Sequence, residues 1–308
     1  MNKALLFVAL VSLCACVAQG PGLPDEVPWA RQILLVGNSL TFYNNMPATL
    51  QQLLNAGNDR FVVYQSTFAD RSLADHVRWI EERKSNMIWP AGREDLAHEV
   101  SADVLTDKQW DIVILQDATL NILIPGLRTT VFEPAVVTLA GLARSGGAQT
   151  LLFQPYPLGI YPARYCTDIT LTGGMTEGNE ACTPEFEKSF EELMVLRRVL
   201  RNISSDIDAG VVPAGEAFER TAFRHPEIPL YYDKWDQHPS PHGSYLIACL
   251  YYNHITGKRS EGLPVYGTLS EKDALKLQKV ADSFYHPNQF VRFINRLFLQ
   301  GNTQRNKS

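Results

Sequence analysis

Five short apolar runs recur along the chain, separated by longer stretches of mixed polarity. Each run is nearly continuous rather than alternating, which is typical of strands covered on both faces of a sheet. They are ILLV (33–36), FVVY (61–64), DIVIL (111–115), TLLF (150–153) and GVVP (210–213). The pattern therefore predicts five buried β-strands.

Amphipathic segments with helical spacing lie between these runs. MPATLQQLLNAG begins next to a proline and ends at a glycine, as helices commonly do. Similar patterns occur in SLADHVRWIEERK, FEPAVVTLAGLARSGG and TPEFEKSFEELMVLRRVLRNI, and another helix is predicted from about Gly243. The alternation of strand and helix predicts an α/β fold, with a five-stranded parallel sheet and helices on both faces. One domain spanning about residues 28–300 accommodates all of these elements.

The first residues, MNKALLFVALVSLCACVAQG, have the features of a leader. Lys3 precedes an apolar run that is shorter than the roughly 20 residues of a membrane-spanning helix. This arrangement predicts a signal peptide over residues 1–19, and hence a secreted or periplasmic protein. LCAC also resembles a lipoprotein box in which Cys16 would carry the lipid, so an anchored form is an alternative.

Charge and cysteine content narrow the possible functions. The chain of 308 residues has a formal net charge of -5 and no tract rich in Lys and Arg, so nothing predicts a nucleic-acid partner. In an oxidising compartment Cys166 and Cys182 are expected to pair across a short loop, stabilising the fold by about 3 kcal/mol. The alternative is two free thiols. Cys249, in an apolar stretch, is expected to be a small buried residue.

A serine follows the first apolar run, in the sequence LLVGNS. Ligands of parallel α/β sheets bind beyond the carboxyl ends of the strands, and Ser39 lies at such an end. A serine in this position either caps a helix or acts as a nucleophile.

A second polar cluster lies near the C-terminus, in YYDKWDQHPSPHGSYLIA. It contains four side chains that could act in catalysis or bind a metal: Asp233, Asp236, His238 and His242. A histidine in a loop with an acid close by suits a general base. A divalent-metal site is the alternative, but prolines at 239 and 241 prevent the helical geometry that His-x-x-x-His spacing would need.

Together these segments resemble the SGNH/GDSL hydrolases, and in particular a bacterial subgroup with Gly-Asn-Ser-x-Thr early and His-Pro-Ser-x-x-Gly-x-Tyr-Leu late. LLVGNSLTFYNNMP and HPSPHGSYLIA resemble the first and last blocks. WDIVILQDAT resembles the third block, and PAGEAF the short segment before the last. The matches occur in order and span nearly the whole chain after the leader. The resemblance implies a flavodoxin-like three-layer fold and esterase activity without a cofactor.

Site residues can be carried over from the resemblance by position. Ser39 matches the nucleophile, and its own backbone N–H is expected to face the oxyanion. His238 matches the general base, whereas His242 falls at a variable position. His76 matches a histidine common in the subgroup, for which we predict only helix packing or lining of the site.

Three positions depart from the family pattern. The acid is expected three residues before the histidine, where this chain has Trp235. Asp236 is preferred to Asp233 as the substitute, and we predict its carboxylate within about 3.2 Å of a His238 ring nitrogen.

The other two departures concern the donors of the oxyanion hole. Asp70 stands near the position of a glycine whose N–H contacts the oxyanion. Gln116 replaces an asparagine of the wider superfamily, and we predict that its amide donates in the same way.

These observations predict a secreted serine esterase, with O-acetyl or other short acyl groups on glycans as candidate substrates. An acyltransferase using the same residues and a non-catalytic binding protein are the alternatives. The expected partner is a small-molecule or glycan ester. No metal is expected. No stable membrane partner is expected either, unless the protein is lipidated at Cys16.

Overall fold

A computed structural model describes most of the chain between residues 30 and 285. The described ranges are 30–83, 86–93, 98–100, 105, 110–159, 161–167, 181–233 and 236–285. The predicted signal peptide, Cys16 and both ends of the 28–300 domain lie outside them. Within these ranges no helix combines the length and apolar character needed to cross a membrane.

The described residues form one sheet of seven strands in the order β4-β3-β2-β1-β5-β6-β7. Strands β1, β2, β5, β6 and β7 pair in parallel, whereas β3 pairs antiparallel with β2 and with β4. The strands are β1 (Arg31–Gly37), β2 (Phe61–Thr67), β3 (Asn86–Pro90), β4 (His98–Val100), β5 (Ile112–Leu115), β6 (Gln149–Phe153) and β7 (Gly210–Val212).

All five predicted strands are present, and they are the five parallel ones. The prediction of a five-stranded sheet was nevertheless incomplete, because it omitted β3 and β4 at one edge. These two strands are short and come from a stretch that contains no run of four apolar residues. Burial of both faces produces such a run, and an edge hairpin does not require it.

The helices follow the strands in the predicted alternation. They are α1 (Ser39–Phe42), α2 (Met46–Ala56), α3 (Leu73–Glu81), α4 (Thr119–Leu123), α5 (Pro125–Leu127), α6 (Glu133–Ser145), α7 (Ser189–Asp206), α8 (Ala214–Arg224), α9 (Pro241–Thr256) and α10 (Glu271–Asp282). A 3₁₀ turn, Tyr43–Asn45, joins α1 to α2, and a π-helical turn, Arg128–Phe132, precedes α6.

Strand β1 shows how the three layers are built. Its residues from Ile33 to Leu35 have no exposed surface, and alternate side chains enter different cores. Ile33 and Leu35 belong to a core that also includes residues of α2 and α9. Leu34 belongs to the opposite core, together with residues of α6 and α7. The fold is therefore a flavodoxin-like three-layer sandwich, as predicted.

The connection between β6 and α7 contains the predicted disulfide. Cys166 and Cys182 are joined, and backbone hydrogen bonds from Thr167 to Ala181 and from Thr183 to Tyr165 flank the bridge. Cys249 is a free, buried thiol in α9, also as predicted.

Candidate active site

Ser39 is the first residue of α1, directly beyond the carboxyl end of β1. The N-cap is Asn38, whose side chain accepts a hydrogen bond from the Leu40 N–H (3.1 Å) and donates one to the Arg71 carbonyl (3.0 Å). The cap role that a serine often has therefore belongs to Asn38. The Ser39 side chain is partly exposed between two buried neighbours, so its hydroxyl is free to act elsewhere.

His238 lies in the loop that leads into α9. Ser240 caps this helix by accepting hydrogen bonds from the His242 and Gly243 N–H groups. The loop packs closely, since a Cβ at Gly243 would stand 2.4 Å from the Leu230 carbonyl oxygen. The histidine is thus held just outside the N-terminus of a buried helix.

Ser39, His238 and Asp236 form a continuous hydrogen-bonded chain. His238 Nε2 lies 2.8 Å from Ser39 Oγ, and His238 Nδ1 lies 2.7 Å from Asp236 Oδ1. A carboxylate can only accept, so the network assigns the proton to Nδ1 and leaves Nε2 able to accept the serine proton. This is the arrangement that activates a serine as a nucleophile.

The loop also stabilises the charged form of Asp236. The His238 backbone N–H donates to Asp236 Oδ1 at 2.9 Å. This bond, followed by the bond and charge interaction with the imidazole ring, lowers the pKa of the Asp236 carboxyl below its usual value. Asp236 is therefore ionised at neutral pH and can balance the positive charge that His238 gains during proton transfer.

Asp233 has a different task. Its Oδ1 accepts a hydrogen bond from the Asp236 N–H at 3.0 Å, so it stabilises the turn that presents Asp236. The distance predicted for Asp236 is met, and Asp233 is not the residue that orients the imidazole through Nδ1. Trp235 lies outside the described residues.

Gln116 bonds the residues that follow β1. It is buried, and its Oε1 accepts hydrogen bonds from the Asn38 N–H and the Thr41 hydroxyl, both at 2.8 Å. Its Nε2 donates to the Asp117 carbonyl at 2.8 Å. The amide therefore supports the nucleophile loop (residues 37–41), and its predicted role as an oxyanion donor remains a prediction.

Asp70 lies on the exposed turn between β2 and α3. It has a φ of 57°, the left-handed conformation that glycine adopts most readily, which is consistent with the glycine that the family resemblance places near this position. Phe68, in the same turn, donates its N–H to the Gly37 carbonyl at 3.1 Å and thereby joins this turn to the end of β1. The oxyanion role of Asp70 remains a prediction.

His76 is buried beside the nucleophile loop, as predicted. Its Nε2 lies 3.4 Å from the Gly37 carbonyl oxygen, and its ring packs against Phe68 and Trp79. Burial lowers the pKa of His76 to about 4. At neutral pH the ring is uncharged, in keeping with packing and with support of Gly37.

Sequence reasoning missed two residues next to the site. Asp117 is buried and accepts hydrogen bonds from the Ala118 N–H (2.7 Å) and the Leu73 N–H (3.3 Å), which ties β5 to the start of α3. Burial raises the pKa of Asp117 to about 6. The ring of Tyr43 stacks on the His238 ring. Position was the only signal for either residue in the sequence. Asp117 comes shortly after the end of β5, and Tyr43 comes shortly after Ser39.

The geometry does not favour the metal alternative. His242 Nε2 faces Asp273 Oδ2 at 3.9 Å, whereas His238 and Asp236 bond each other. Within the described ranges, no three His, Cys, Asp or Glu side chains come together in a way that could hold a metal ion.

A separate groove of about 770 Å³ lies beside the edge strand β7. Its charged lining includes Arg144, Arg197, Arg201 and Arg220 with Glu216, and none of the Ser39–His238–Asp236 chain. The hydrogen-bonded chain lies outside this groove, so we place the candidate active site at Ser39.

Comparisons with known proteins inform the fold. No known family matches the sequence, and no curated protein matches it. Among solved structures, a DUF4886 family protein from Bacteroides uniformis is similar with a TM-score of 0.62 at 14% identity, covering 82% of this chain and 94% of that one.

Two enzymes are similar at lower scores. An acetyl xylan esterase from Geobacillus stearothermophilus has a TM-score of 0.47 at 14% identity, covering 73% of this chain and 94% of its own. An α/β hydrolase enzyme from the metagenome of Lake Arreo, Spain, has a TM-score of 0.46 at 15% identity, with coverages of 74% and 97%. The chain therefore shares its three-layer α/β fold with the Bacteroides uniformis protein over most of both lengths.

Proposed function

We propose that this protein is a serine hydrolase of the SGNH/GDSL type that cleaves carboxylic esters. The observation that carries the proposal is the hydrogen-bonded chain from Ser39 through His238 to Asp236, with both contacts below 3 Å. Such a chain converts a weakly nucleophilic hydroxyl into one that can attack an acyl carbon. It also argues against a non-catalytic binding protein, which would not need this geometry.

The reaction has two halves. Ser39 Oγ bonds to the acyl carbon while His238 Nε2 takes the hydroxyl proton, and the resulting imidazolium is balanced by Asp236. The tetrahedral intermediate then breaks its bond to the leaving alkoxide oxygen, to which His238 returns the proton, so that an acyl-serine and an alcohol form. In the second half, water replaces the alcohol and His238 acts in the same way to release the carboxylic acid and regenerate Ser39.

For the oxyanion we propose the backbone N–H groups of Ser39 and Asp70. Ser39 carries both the nucleophile and the first N–H of α1, so the two act on the same carbonyl. The turn that holds Asp70 is bonded to Gly37 through Phe68, next to Ser39. A backbone N–H survives the change from glycine to aspartate, provided that the carboxylate points into solvent.

The proposed substrate and location rest on the sequence alone. The leader predicts a protein exported from the cytoplasm, where esters on glycans are accessible, so we propose O-acetyl or other short acyl groups on glycans as substrates. The same serine and histidine would also transfer the acyl group to a sugar if water were excluded. An assay that separates released acid from acylated acceptor distinguishes the two reactions.

The test uses an active-site probe together with a substrate panel. A fluorophosphonate should label the wild type but not Ser39→Ala. The control is Ser145→Ala, which removes an exposed hydroxyl at the end of α6 and should be labelled like the wild type. Short and long acyl esters and acetylated glycans should be hydrolysed by the wild type and by Ser145→Ala, and not by Ser39→Ala. Equal labelling and turnover in Ser39→Ala, with an unchanged circular dichroism spectrum, would overturn the proposal.

A further inference from the structure

The ring of Tyr43 covers one face of the His238 imidazole. The two rings are nearly parallel, with an interplanar angle of 10° and centroids 4.0 Å apart. Tyr43 opens the 3₁₀ turn that directly follows α1, the helix that begins with Ser39. One short segment therefore supplies both the serine and a stacking surface for the histidine.

His238 needs such a surface because its hydrogen bonds act only at the ring edge. The torsion about the Cβ–Cγ bond of histidine is broad, so the ring can tilt unless packing restrains it. The side chain of Asp236 is 36% exposed, and solvent weakens the hold of an exposed carboxylate on its partner. A parallel aromatic ring limits the tilt directly, and its negative face also favours the imidazolium formed during turnover.

Asn44, the next residue, bonds the histidine loop from the same segment. Its Nδ2 donates to the Pro239 carbonyl at 2.8 Å and to the Ser244 hydroxyl at 2.9 Å, and its Oδ1 accepts from the Tyr232 hydroxyl. The Ser244 hydroxyl in turn donates to the Tyr43 carbonyl at 3.1 Å. The residue after His238 and the first turns of α9 are thus bonded to the segment that begins at Ser39.

We infer that Tyr43 and Asn44 are positioning residues that hold the His238 ring in plane and at hydrogen-bonding distance from Ser39. The inference rests on the proposed function, because it assigns these residues to the same proton transfer. Both residues act through His238, and the inference assigns neither of them a contact with the substrate. Their loss should lower the rate of the chemical step and leave substrate affinity nearly unchanged.

The first experiment replaces the ring. Tyr43→Phe keeps the stack and should retain kcat within about twofold, whereas Tyr43→Leu should lose roughly tenfold in kcat with little change in KM. Tyr43→Met fills a similar volume with a flexible chain, so it serves if the leucine variant fails to fold. The rate of fluorophosphonate labelling should fall in parallel with kcat, since labelling uses the same activated serine.

The second experiment uses two neighbouring asparagines. Asn44 and Asn45 both have a φ of 52°, which glycine adopts without strain. Asn44→Gly removes the bonds to Pro239 and Ser244 and should lower kcat by about tenfold. Asn45 is exposed at the N-cap position of α2, and its side chain makes no cap hydrogen bond. Asn45→Gly should therefore leave kcat and KM as in the wild type.

Three outcomes would overturn the inference. The first is a folded Tyr43→Leu variant with the kcat and KM of the wild type. The second is a rise in KM at constant kcat in this variant, which would make Tyr43 a substrate contact. The third is an equal effect of Asn44→Gly and Asn45→Gly on kcat. Failure of the proposed function gives a different result, because wild type and Ser39→Ala would then be equally unlabelled by the fluorophosphonate.

Discussion

His238 Nε2 lies 2.8 Å from Ser39 Oγ, although 199 positions separate the two residues along the chain. One residue follows the central strand β1, and the other precedes the buried helix α9. Both elements contribute to the same hydrophobic core, which contains Ile33 and Leu35 of β1 together with residues of α9. The distance on which the proposed chemistry depends is therefore set by core packing as well as by the site itself.

Substitution of the two loop aspartates should separate their roles. In Asp236→Asn the amide cannot balance the imidazolium, and kcat should fall on the order of 10⁴-fold, by analogy with other serine triads. Asp233→Asn keeps an oxygen that can accept the Asp236 N–H, so only a small loss is expected. Steady-state kinetics on one ester measures both. Equal losses in the two variants would contradict the assignment of Asp236.

Gln116 is expected to matter for stability as well as for activity. Gln116→Met leaves the buried Asn38 N–H without an acceptor, which should lower the free energy of unfolding by about 1–3 kcal/mol. Thr41→Val removes only the second bond to Oε1 and should cost less. Urea denaturation measures both. A large loss of kcat at unchanged stability would instead indicate an oxyanion donor.

Gly37 must lack a side chain for the nucleophile loop to pack as it does. A Cβ there would stand 2.4 Å from Gln116 Oε1 and 2.9 Å from Thr41 Oγ1, so Gly37→Ala should displace the Gln116 amide and lower both stability and labelling by a fluorophosphonate. Gly141→Ala in α6 meets no atom within 4 Å and should stabilise the helix by up to about 1 kcal/mol. Thermal unfolding and labelling of the pair test the contrast.

Glu192 should make stability fall as the pH rises. The buried carboxyl accepts hydrogen bonds from the Leu158 N–H and the Tyr161 hydroxyl, yet burial raises its pKa from an ordinary 4.5 to about 7. The folded state thus favours the protonated form. The stability that protonated Glu192 contributes is fully present below pH 4.5 and is lost as the pH rises to about 7. Over this range the free energy of unfolding should fall by about 3 kcal/mol.

Comparison with a variant isolates this effect, because His76 and Asp117 titrate in an overlapping range. The side chain in Glu192→Gln cannot ionise. The free energy of unfolding of this variant minus that of the wild type should therefore increase between pH 4.5 and pH 7. Glu191→Gln changes an exposed neighbour and should follow the wild-type curve. Parallel curves for wild type and Glu192→Gln in urea denaturation would contradict the prediction.

The disulfide should stabilise the connection between β6 and α7. Replacing Cys166 and Cys182 together by serine should lower the free energy of unfolding by about 3 kcal/mol, because the unfolded chain gains freedom. Non-reducing peptide mapping should recover these two residues joined, with Cys249 alkylated only after unfolding because it is buried. Recovery of both loop residues as alkylated thiols from exported protein would contradict the pairing.

The parallel core of this fold could be predicted from the sequence, because burial on both faces requires near-continuous apolar runs. Five such runs became β1, β2, β5, β6 and β7. Ser39 and His238 could also be predicted, because the short motifs that contain them resemble the first and last blocks of the SGNH/GDSL hydrolases. These features depend on local sequence, which a linear pattern records.

Tertiary structure decided the features that depend on how distant segments meet. The sequence offered both Asp236 and Asp233, with Asp236 preferred, and the tertiary structure places the Asp236 carboxylate against His238 while Asp233 accepts the Asp236 N–H. The position of Gln116 after β5 predicted only a donor to the oxyanion, and the tertiary structure adds that its oxygen accepts hydrogen bonds from Asn38, after β1, and from Thr41, in α1. The stack of Tyr43 on His238 joins residues from opposite ends of the chain, and no local pattern contains it, because packing across the fold creates the contact.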